Sequence, residues 1–341
     1  MLAYVSLAPM IRYLRPNEID RQQWDDLLTR APNGLIYALS WYLDIVSPGW
    51  AALVKEEAGR YVAVLPLPVR RKFGLSYLQQ PVFTQQLGVF YEKTPTAADW
   101  QEFGYQIKKR FRYITKYAFN TTNTEADGPA SLGLAGALTH TYHLSLQPTY
   151  PELLAGYRPN RRRHLRKAQA HSLVVESTTD VNLLIRIFDK NTAHRLTGMQ
   201  GEAYEYPMLR ALYSAASRAG LASMWQARPP AGGAVAIVFL LHFKQHIIYL
   251  FNCSTAEGKD KGAISVLIDD VLRQYAGQNF CFDFESQGVN SLERFYSSFG
   301  SKPAPFLTIS ANRLPWPVRQ LKAARMALYQ RLRSRPASDT S

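Results

Sequence analysis

The chain has 341 residues, of which 47% are hydrophobic and 19% charged, a globular composition with room for two domains of about 150–200 residues each. The net charge of +14 favours anionic partners such as nucleic acid, phosphorylated cofactors or a membrane surface. No apolar run reaches about 18 residues, and the two cysteines, Cys253 and Cys281, have no partner at metal-ligand spacing, so we expect neither a spanning helix nor a metal site.

Both cysteines lie in apolar, strand-like runs, which predicts buried thiols in a reducing compartment. We therefore expect a cytoplasmic protein without a disulfide.

The first 148 residues predict an α+β domain. Apolar side chains at helical spacing, such as Trp24 and Leu27, predict a helix over residues 17–30 with Asn17 as its N-terminal cap. Two further helices are predicted at residues 37–46 and 97–112. The predicted strands are residues 11–14, 50–55, 60–70, 75–78, 87–91, 113–119 and 139–146.

The same order of elements recurs after residue 148. Helices are predicted at residues 150–171, 181–194, 206–219, 262–275 and 291–298. Strands are predicted at residues 173–176, 221–227, 234–243, 246–252, 280–284 and 306–310. This order indicates two α+β domains, at residues 1–148 and 149–312, although no residue-level repeat relates them.

Residues 313–341 contain a basic helix, predicted at residues 316–335, and a tail. A solvated terminal helix is the default interpretation of such a segment. Weak contact with a membrane surface or with nucleic acid is the alternative.

A candidate anion site opens the helix predicted at residues 262–275. The free N–H groups and the dipole at a helix start favour a negatively charged ligand. We therefore interpret this turn as the binding site of an acyl donor; the alternative is a surface turn before a packing helix. The residues assigned to the donor are Lys259, Lys261, Gly262, Ala263 and Ser265.

A dense basic run begins the second domain. Arg162 and Arg166 are four residues apart and so share a helix face, with Arg163 beside them. Such a run is usually a solvated face, but two guanidinium groups on one face can also hold a phosphate or carboxylate.

Two motifs in the second half carry a family resemblance. The segment RRHLRKA at residues 162–168 resembles the R-x-x-[IL]-[RK]-[KR]-A signature of Fem-type (FemABX-like) transferases, and FDFES at 282–286 followed by LERFYSSFG at 292–300 resembles their D-F and F-K-x-x-F-G ending. In the first half, PVFTQQLG at 81–88 is similar to related acetyltransferases. The resemblance covers about residues 11–312 and implies two tandem domains of the GNAT acyltransferase fold, α+β with mixed central sheets.

The resemblance also implies an activity. Fem-type members transfer an aminoacyl group from aminoacyl-tRNA to the amine of a peptidoglycan precursor, and their relatives are presumed to use acyl-CoA. Two departures concern the donor: Tyr296 stands where Fem-type proteins carry lysine, and Ile264 stands where the GNAT pyrophosphate loop has a small residue. In this context Arg162, Arg163 and Arg166 are predicted to bind an anionic acceptor.

Acyl transfer to an amine requires a neutral nucleophile, and a base with a pKa tuned towards 7 assists it. Glu285 is the candidate base, at the exposed end of a strand. Asp283 would share its face and could raise its pKa, and Tyr296 could donate to the oxyanion or the leaving group. The alternative is a structural Asp283, a Glu285 paired with Arg294 and a packed Tyr296.

The prediction is an N-acyltransferase that uses acyl-CoA or aminoacyl-tRNA, without a metal, and acts on an amine of a cell-envelope or glycan precursor. One alternative is a GNAT-fold binding protein that has lost its catalysis. Another is a nucleic-acid-binding module that uses the basic tail and the arginine cluster.

Overall fold

The computed structural model describes residues 11–124, 129–196, 198–286, 288, 290–318 and 320. Fourteen strands, numbered β1–β14, and ten α-helices, α1–α10, are assigned within these residues. They form a four-stranded sheet and a ten-stranded sheet with helices packed against them.

The four-stranded sheet belongs to the N-terminal half and is antiparallel throughout. In spatial order it contains β1 (Ile11–Leu14), β2 (Ala51–Glu57), β3 (Arg60–Leu67) and β6 (Phe90–Tyr91). The helices of this half are α1 (Arg21–Arg30), α2 (Ser40–Val46) and α3 (Ala97–Arg110).

Helix α1 starts later than its sequence predicts. The Asp20 carboxylate accepts hydrogen bonds from the N–H groups of Gln22 and Gln23 and so caps the helix, which means that the cap predicted at Asn17 was wrong. The predicted apolar face is confirmed, since Trp24 and Leu27 are fully buried.

The ten-stranded sheet is built from both halves of the chain. Its spatial order is β4 (Val69–Lys72), β5 (Leu75–Leu78), β7 (Tyr113–Ala118), β14 (Lys302–Asn312), β8 (Gly136–Ser145), β13 (Cys281–Asp283), β12 (His246–Ser254), β11 (Ala236–Phe243), β10 (Ala222–Arg228) and β9 (Val174–Ser177). Strand β14, from the C-terminal end, lies between β7 and β8. A division near residue 148 remains a prediction, because this sheet runs continuously across it.

The helices of the C-terminal half are α4 (Tyr150–Gly156), α5 (Pro159–Gln169), α6 (Val181–Asn191), α7 (Glu205–Arg218), α8 (Ala256–Asp260), α9 (Ala263–Tyr275) and α10 (Asn290–Ser297). The single helix predicted at residues 150–171 was wrong. Pro159 forces the preceding residue out of the helical region, and Arg158 is extended, with φ −60° and ψ 147°. The break separates α4 from α5.

The ten-stranded sheet separates two apolar cores. Alternate residues of a strand point to opposite faces, so Phe282 enters the core beneath α9, while Cys281 and Asp283 face the other way. The larger core lies on that second face and includes Ile248 of β12. The N-terminal half also contributes to the larger core, which brings its loops close to the end of β13.

The predicted basic helix at residues 316–335 falls mostly outside the described residues. In the part of the chain that the structure describes, no helix combines the length and the apolar character needed to cross a membrane.

Candidate functional site

The site is organised around the point where β12 and β13 part. These parallel strands pair only at His246–Cys281, Ile247–Phe282 and Ile248–Asp283. Beyond that point the Phe284 N–H donates to the Tyr142 carbonyl, 3.0 Å away, so the chain stays beside β8 and leaves β12. A wedge therefore opens between the second half of β12 and Glu285.

Asp283 anchors one wall of this wedge. Its Oδ1 accepts hydrogen bonds from the Thr141 hydroxyl at 2.6 Å and from the Glu285 N–H at 2.9 Å. His143 Nε2 lies 3.2 Å from Oδ2. Burial raises the pKa of Asp283, but the charge and contacts of His143 outweigh burial and hold it below its usual range. Asp283 is thus a buried, paired carboxylate.

Glu285 is held in an unusual conformation. Its φ of 48° lies in the left-handed region, which a glutamate rarely adopts, so the residue turns out of the strand instead of sharing the face of Asp283. The Tyr37 hydroxyl donates a hydrogen bond to its carboxylate. Burial raises the pKa of Glu285 to about 8, assisted by the nearby charge of Asp283 and opposed by the Tyr37 hydrogen bond.

The N-terminal half supplies the opposite wall. Besides Tyr37, the Gln85 side-chain amide donates to the Ser286 carbonyl at 2.6 Å. The Ser286 hydroxyl is buried and has no hydrogen-bond partner within the described residues. A buried polar atom without a partner marks a position that a ligand or water would satisfy.

Aromatic rings fill the base of the wedge. Tyr296 is 6% exposed, and its ring centre lies 4.9 Å from that of Phe284 and 6.2 Å from that of Tyr249. Burial raises the pKa of Tyr296, and the Glu285 charge adds to the rise, so its hydroxyl remains a proton donor at neutral pH. Ile264 packs against the same core.

The predicted donor residues lie at the start of α9. Gly262 precedes the helix with a φ of 67°, which suits glycine, and Ala263 is fully buried. Lys259 is exposed, whereas Lys261 forms an ion pair with Glu257 at 2.7 Å.

The predicted arginine cluster divides into one buried and several outward side chains. Arg163 and Arg166 are exposed on α5, and Arg162 is half-buried with a hydrogen bond to the Ala155 carbonyl. Arg161, which was not among the predicted site residues, is only 7% exposed.

Arg161 links three helices. It donates to Ser265 Oγ of α9 at 2.6 Å and to Ser298 Oγ, just after α10, at 2.8 Å. Its guanidinium carbon lies 4.3 Å and 4.6 Å from the ring centres of Phe295 and Phe299. No carboxylate pairs with it among the described residues. The residue immediately before the first family motif is therefore in direct contact with the second motif.

The two cysteines differ, which corrects the expectation that both are buried. Cys253 is 2% exposed and burial raises its pKa to about 12. Cys281, in β13, is partly exposed and pairs with His246 of the neighbouring strand β12. Burial acts to raise its pKa, but hydrogen bonds with His143 and His246 outweigh burial and lower it to about 7.

The structure thus brings Glu285, Asp283 and Tyr296 together at the end of β13, and it joins Ser265 to the buried Arg161. Tyr37, Gln85 and Ser286 were not found from the sequence. The carboxylate of Glu285 bonds to Tyr37, from the other half of the chain, and within the described residues it does not bond to Arg294. Among the described residues, no group of three or more His, Cys, Asp or Glu side chains is arranged to hold a metal ion.

Comparison with known proteins identifies the fold. Residues 155–289 match the family described as an acetyltransferase (GNAT) domain. The search of curated proteins gave no match.

Solved structures match over most of the chain. The crystal structure of FemX is 14% identical and covers 91% of this chain and 99% of its own, with a TM-score of 0.64. A protein of unknown function from Bacteroides thetaiotaomicron is 12% identical, with coverages of 89% and 100% and a TM-score of 0.58. The L-PGS structure from Bacillus licheniformis is 9% identical, with coverages of 90% and 96% and a TM-score of 0.53. The predicted FemABX-like fold of tandem GNAT-type halves is confirmed, and residues 155–289 form a GNAT domain.

Proposed function

We propose that this protein is an N-acyltransferase in which Glu285 accepts a proton from the acceptor amine. The observation that carries the proposal is the Glu285 carboxylate itself. It is partly buried where β12 and β13 part, bonded to Tyr37 of the other half, with a pKa raised to about 8. A carboxylate with a pKa near the working pH can take a proton from an ammonium group and return it to solvent.

The chemistry of the wedge follows from its remaining groups. The amine, once neutral, attacks the acyl carbonyl, and the resulting oxyanion needs hydrogen-bond donors. The pairing register of β11 and β12 shifts, so Leu250 is an extra residue of β12 and forms a β-bulge. The N–H of a bulged residue lies outside the hydrogen-bond ladder between the strands. This N–H and the Tyr296 hydroxyl are the proposed donors to the oxyanion and the leaving group.

The donor is proposed to bind at the start of α9. Helix α9 has 13 residues, so its first turn presents partial positive charge to an anionic ligand. Beneath this turn lies Arg161, a buried cation held by hydroxyls and aromatic faces. Lys259 adds exposed positive charge, and the other members of the proposed site are Lys261, Gly262, Ala263 and Ser265. Both acyl-CoA and aminoacyl-tRNA carry phosphate that this site would accept.

The acceptor is proposed to be an amine on a cell-envelope or glycan precursor, such as a peptidoglycan precursor, in the cytoplasm. The FemX-like fold supports this class. Arg162, Arg163 and Arg166 present positive charge on the outer face of α5 and would hold the anionic part of such a precursor.

A donor screen tests the proposal. The full chain is incubated with a panel of acyl-CoAs or charged tRNAs and with amino-sugar and peptide acceptors, and products are detected by mass spectrometry. We expect one donor class to give an acylated amine, and Glu285→Gln to lower the rate of its formation by about 100-fold or more. Glu293→Gln, which alters a partly buried carboxylate paired with His140, is the matched control and should retain activity.

A second candidate is a GNAT-fold protein that binds its ligand without transfer. The packing of Ile264 against the aromatic core favours it, because a side chain there occupies space near the donor turn. In the same screen, thermal protection by a donor without any product from any acceptor would favour this candidate over the enzyme.

A further inference from the structure

An exposed phenylalanine occupies the tip of the hairpin between β4 and β5. Phe73 is 87% exposed and has a φ of 51°, and Gly74 follows it with a φ of 73°. A two-residue hairpin turn with both φ values positive favours Asn or Asp followed by Gly, so a bulky aromatic residue is strained there. The Lys72 ammonium lies 5.7 Å from the Phe73 ring centre, but so exposed a side chain gains little burial to offset the strain of the turn, which points to a role outside the fold.

Two cations precede this tip, and two more lie near Tyr13, beside the same hairpin. Arg71 and Lys72 precede Phe73, and both are exposed. Burial raises the pKa of Tyr13, and the positive charges of Arg110, Arg71 and Arg15 act against that rise, so these three guanidinium groups lie near one hydroxyl. The Arg110 guanidinium carbon is 4.6 Å from the Tyr13 ring centre. We call Arg15, Arg71, Lys72, Phe73 and Arg110 the hairpin-tip surface.

The positive charge of this surface is not neutralised by carboxylates. Within the described residues, none of its four cations forms an ion pair. The charge of Glu18 also acts on Tyr13, and the Glu18 carboxylate accepts the backbone N–H of Arg15 at 2.6 Å. The surface therefore combines net positive charge with a protruding apolar ring.

We propose that the hairpin-tip surface docks the protein on an anionic lipid bilayer, with Phe73 inserted at the headgroup boundary and the cations on lipid phosphates. Charge complementarity supplies the attraction, and the exposed ring supplies the apolar contact that a phosphate surface alone would not require. RNA phosphate would attract the same cations, but only partly exposed rings, Tyr13 and Tyr77, lie near the almost fully exposed Phe73. One protruding ring suits insertion better than continuous base stacking, which uses successive aromatic side chains. The residues of this surface lie outside the tail sequence, and the proposal does not depend on the proposed acyl transfer.

Vesicle co-sedimentation of the full chain tests the proposal. The vesicles contain either phosphatidylcholine alone or phosphatidylcholine mixed with phosphatidylglycerol. We expect binding only to the mixed vesicles, and its loss in high salt. Phe73→Asn should weaken it about tenfold while keeping or raising the melting temperature, because Asn suits the turn. Arg71→Gln with Lys72→Gln should weaken it by about fivefold for each cation removed.

Two controls are matched to these variants. Leu138→Asn removes an apolar side chain that is 70% exposed on β8, and Arg218→Gln removes an exposed cation at the end of α7; both should bind as the wild type does. The proposal is overturned if the Phe73 and Arg71/Lys72 variants bind mixed vesicles normally, since binding would then come from another segment such as the tail. It is also overturned if the chain binds neither vesicle, or if Phe73→Asn weakens binding only to a single-stranded RNA homopolymer.

Discussion

The hydroxyl of Tyr37 donates a hydrogen bond to the carboxylate of Glu285, 248 residues further along the chain. Tyr37 belongs to the N-terminal half and Glu285 to the end of β13. The bond therefore fixes the candidate base by a residue from the other half. The proposed site needs both halves in place, which gives the tandem arrangement a chemical role in addition to a structural one.

The first prediction concerns Glu285→Gln. A base must be unprotonated, so kcat/KM of the wild type should rise with pH and level off above about 8. Loss of the base should lower the rate by about 100-fold or more. The rise of kcat/KM towards pH 8, which we call the rate limb, should also disappear. Initial rates between pH 6 and pH 9.5, on the donor found by the screen, provide the measurement. A variant that keeps the limb would assign it to another group.

Glu285→Gln should lower the rate but raise the stability of the folded chain at high pH. The pKa of Glu285 is about 8 in the folded chain, above its ordinary value of 4.5, so the folded state binds this proton more tightly than the unfolded state. Its contribution to stability is therefore fully present below about pH 4.5 and declines as the pH rises to about 8. At pH 9 Glu285→Gln should melt at a higher temperature than the wild type; equal melting temperatures at pH 9 would contradict the raised pKa.

The second prediction concerns Tyr37→Phe. The Tyr37 hydrogen bond stabilises the charged form of Glu285, so its removal should raise the pKa of Glu285 further and move the rate limb to higher pH by about one unit. The maximal rate at high pH should change less than the rate at pH 7. Tyr91→Phe alters another buried tyrosine, in β6, and should leave the limb in place.

Local patterns in the sequence identified much of the fold. Periodic apolar residues located α1, and the chain turns at Ala58 and Lys244, both with positive φ, lie in gaps between consecutive predicted strands. The insertion of β14 between β7 and β8 could not be predicted in this way, because strand pairing across about 170 residues leaves no local signal. The order of strands in a sheet depends on packing between distant segments.

The site shows the same division. Glu285 and Asp283 were found because they end an apolar strand, but the left-handed turn at Glu285 and its bond to Tyr37 depend on tertiary contacts. Helical spacing correctly grouped the arginines of α5 without revealing which one is buried. Arg161 is the buried arginine because the rings of Phe295, in α10, and Phe299, just after α10, pack against its guanidinium group. The spacing of residues within α5 does not encode the positions of those rings.

The third prediction compares two neighbouring arginines. Arg161→Ala removes two hydrogen bonds and the contacts with two rings, and should destabilise the protein by about 2–4 kcal/mol. Arg162→Ala removes a half-buried side chain with one hydrogen bond, to the Ala155 carbonyl, and should cost within about 1 kcal/mol. Urea unfolding of both variants measures the difference. Similar losses for the two would show that the burial of Arg161 contributes little.

The fourth prediction concerns the two thiols, and it does not require a known substrate. The thiolate is the reactive form, and the pKa of Cys281 is about 7 whereas that of buried Cys253 is about 12. Iodoacetamide should therefore modify Cys281 in the native chain with a rate midpoint near pH 7 and leave Cys253 unmodified. Peptide mass spectrometry identifies the site.

The neighbours of Cys281 explain its expected reactivity and supply the test. Burial opposes a proton on His143, but the Asp283 charge outweighs burial and raises the pKa of His143 to about 10, so the ring is cationic beside the thiol. Asp283→Asn removes that charge and should lower the pKa of His143, which raises that of Cys281 and slows its modification at pH 7. Asp270→Asn, on α9, is a matched control that should leave the rate unchanged. Equal rates for Asp283→Asn and the wild type would mean that the Asp283–His143 pair does not activate the thiol.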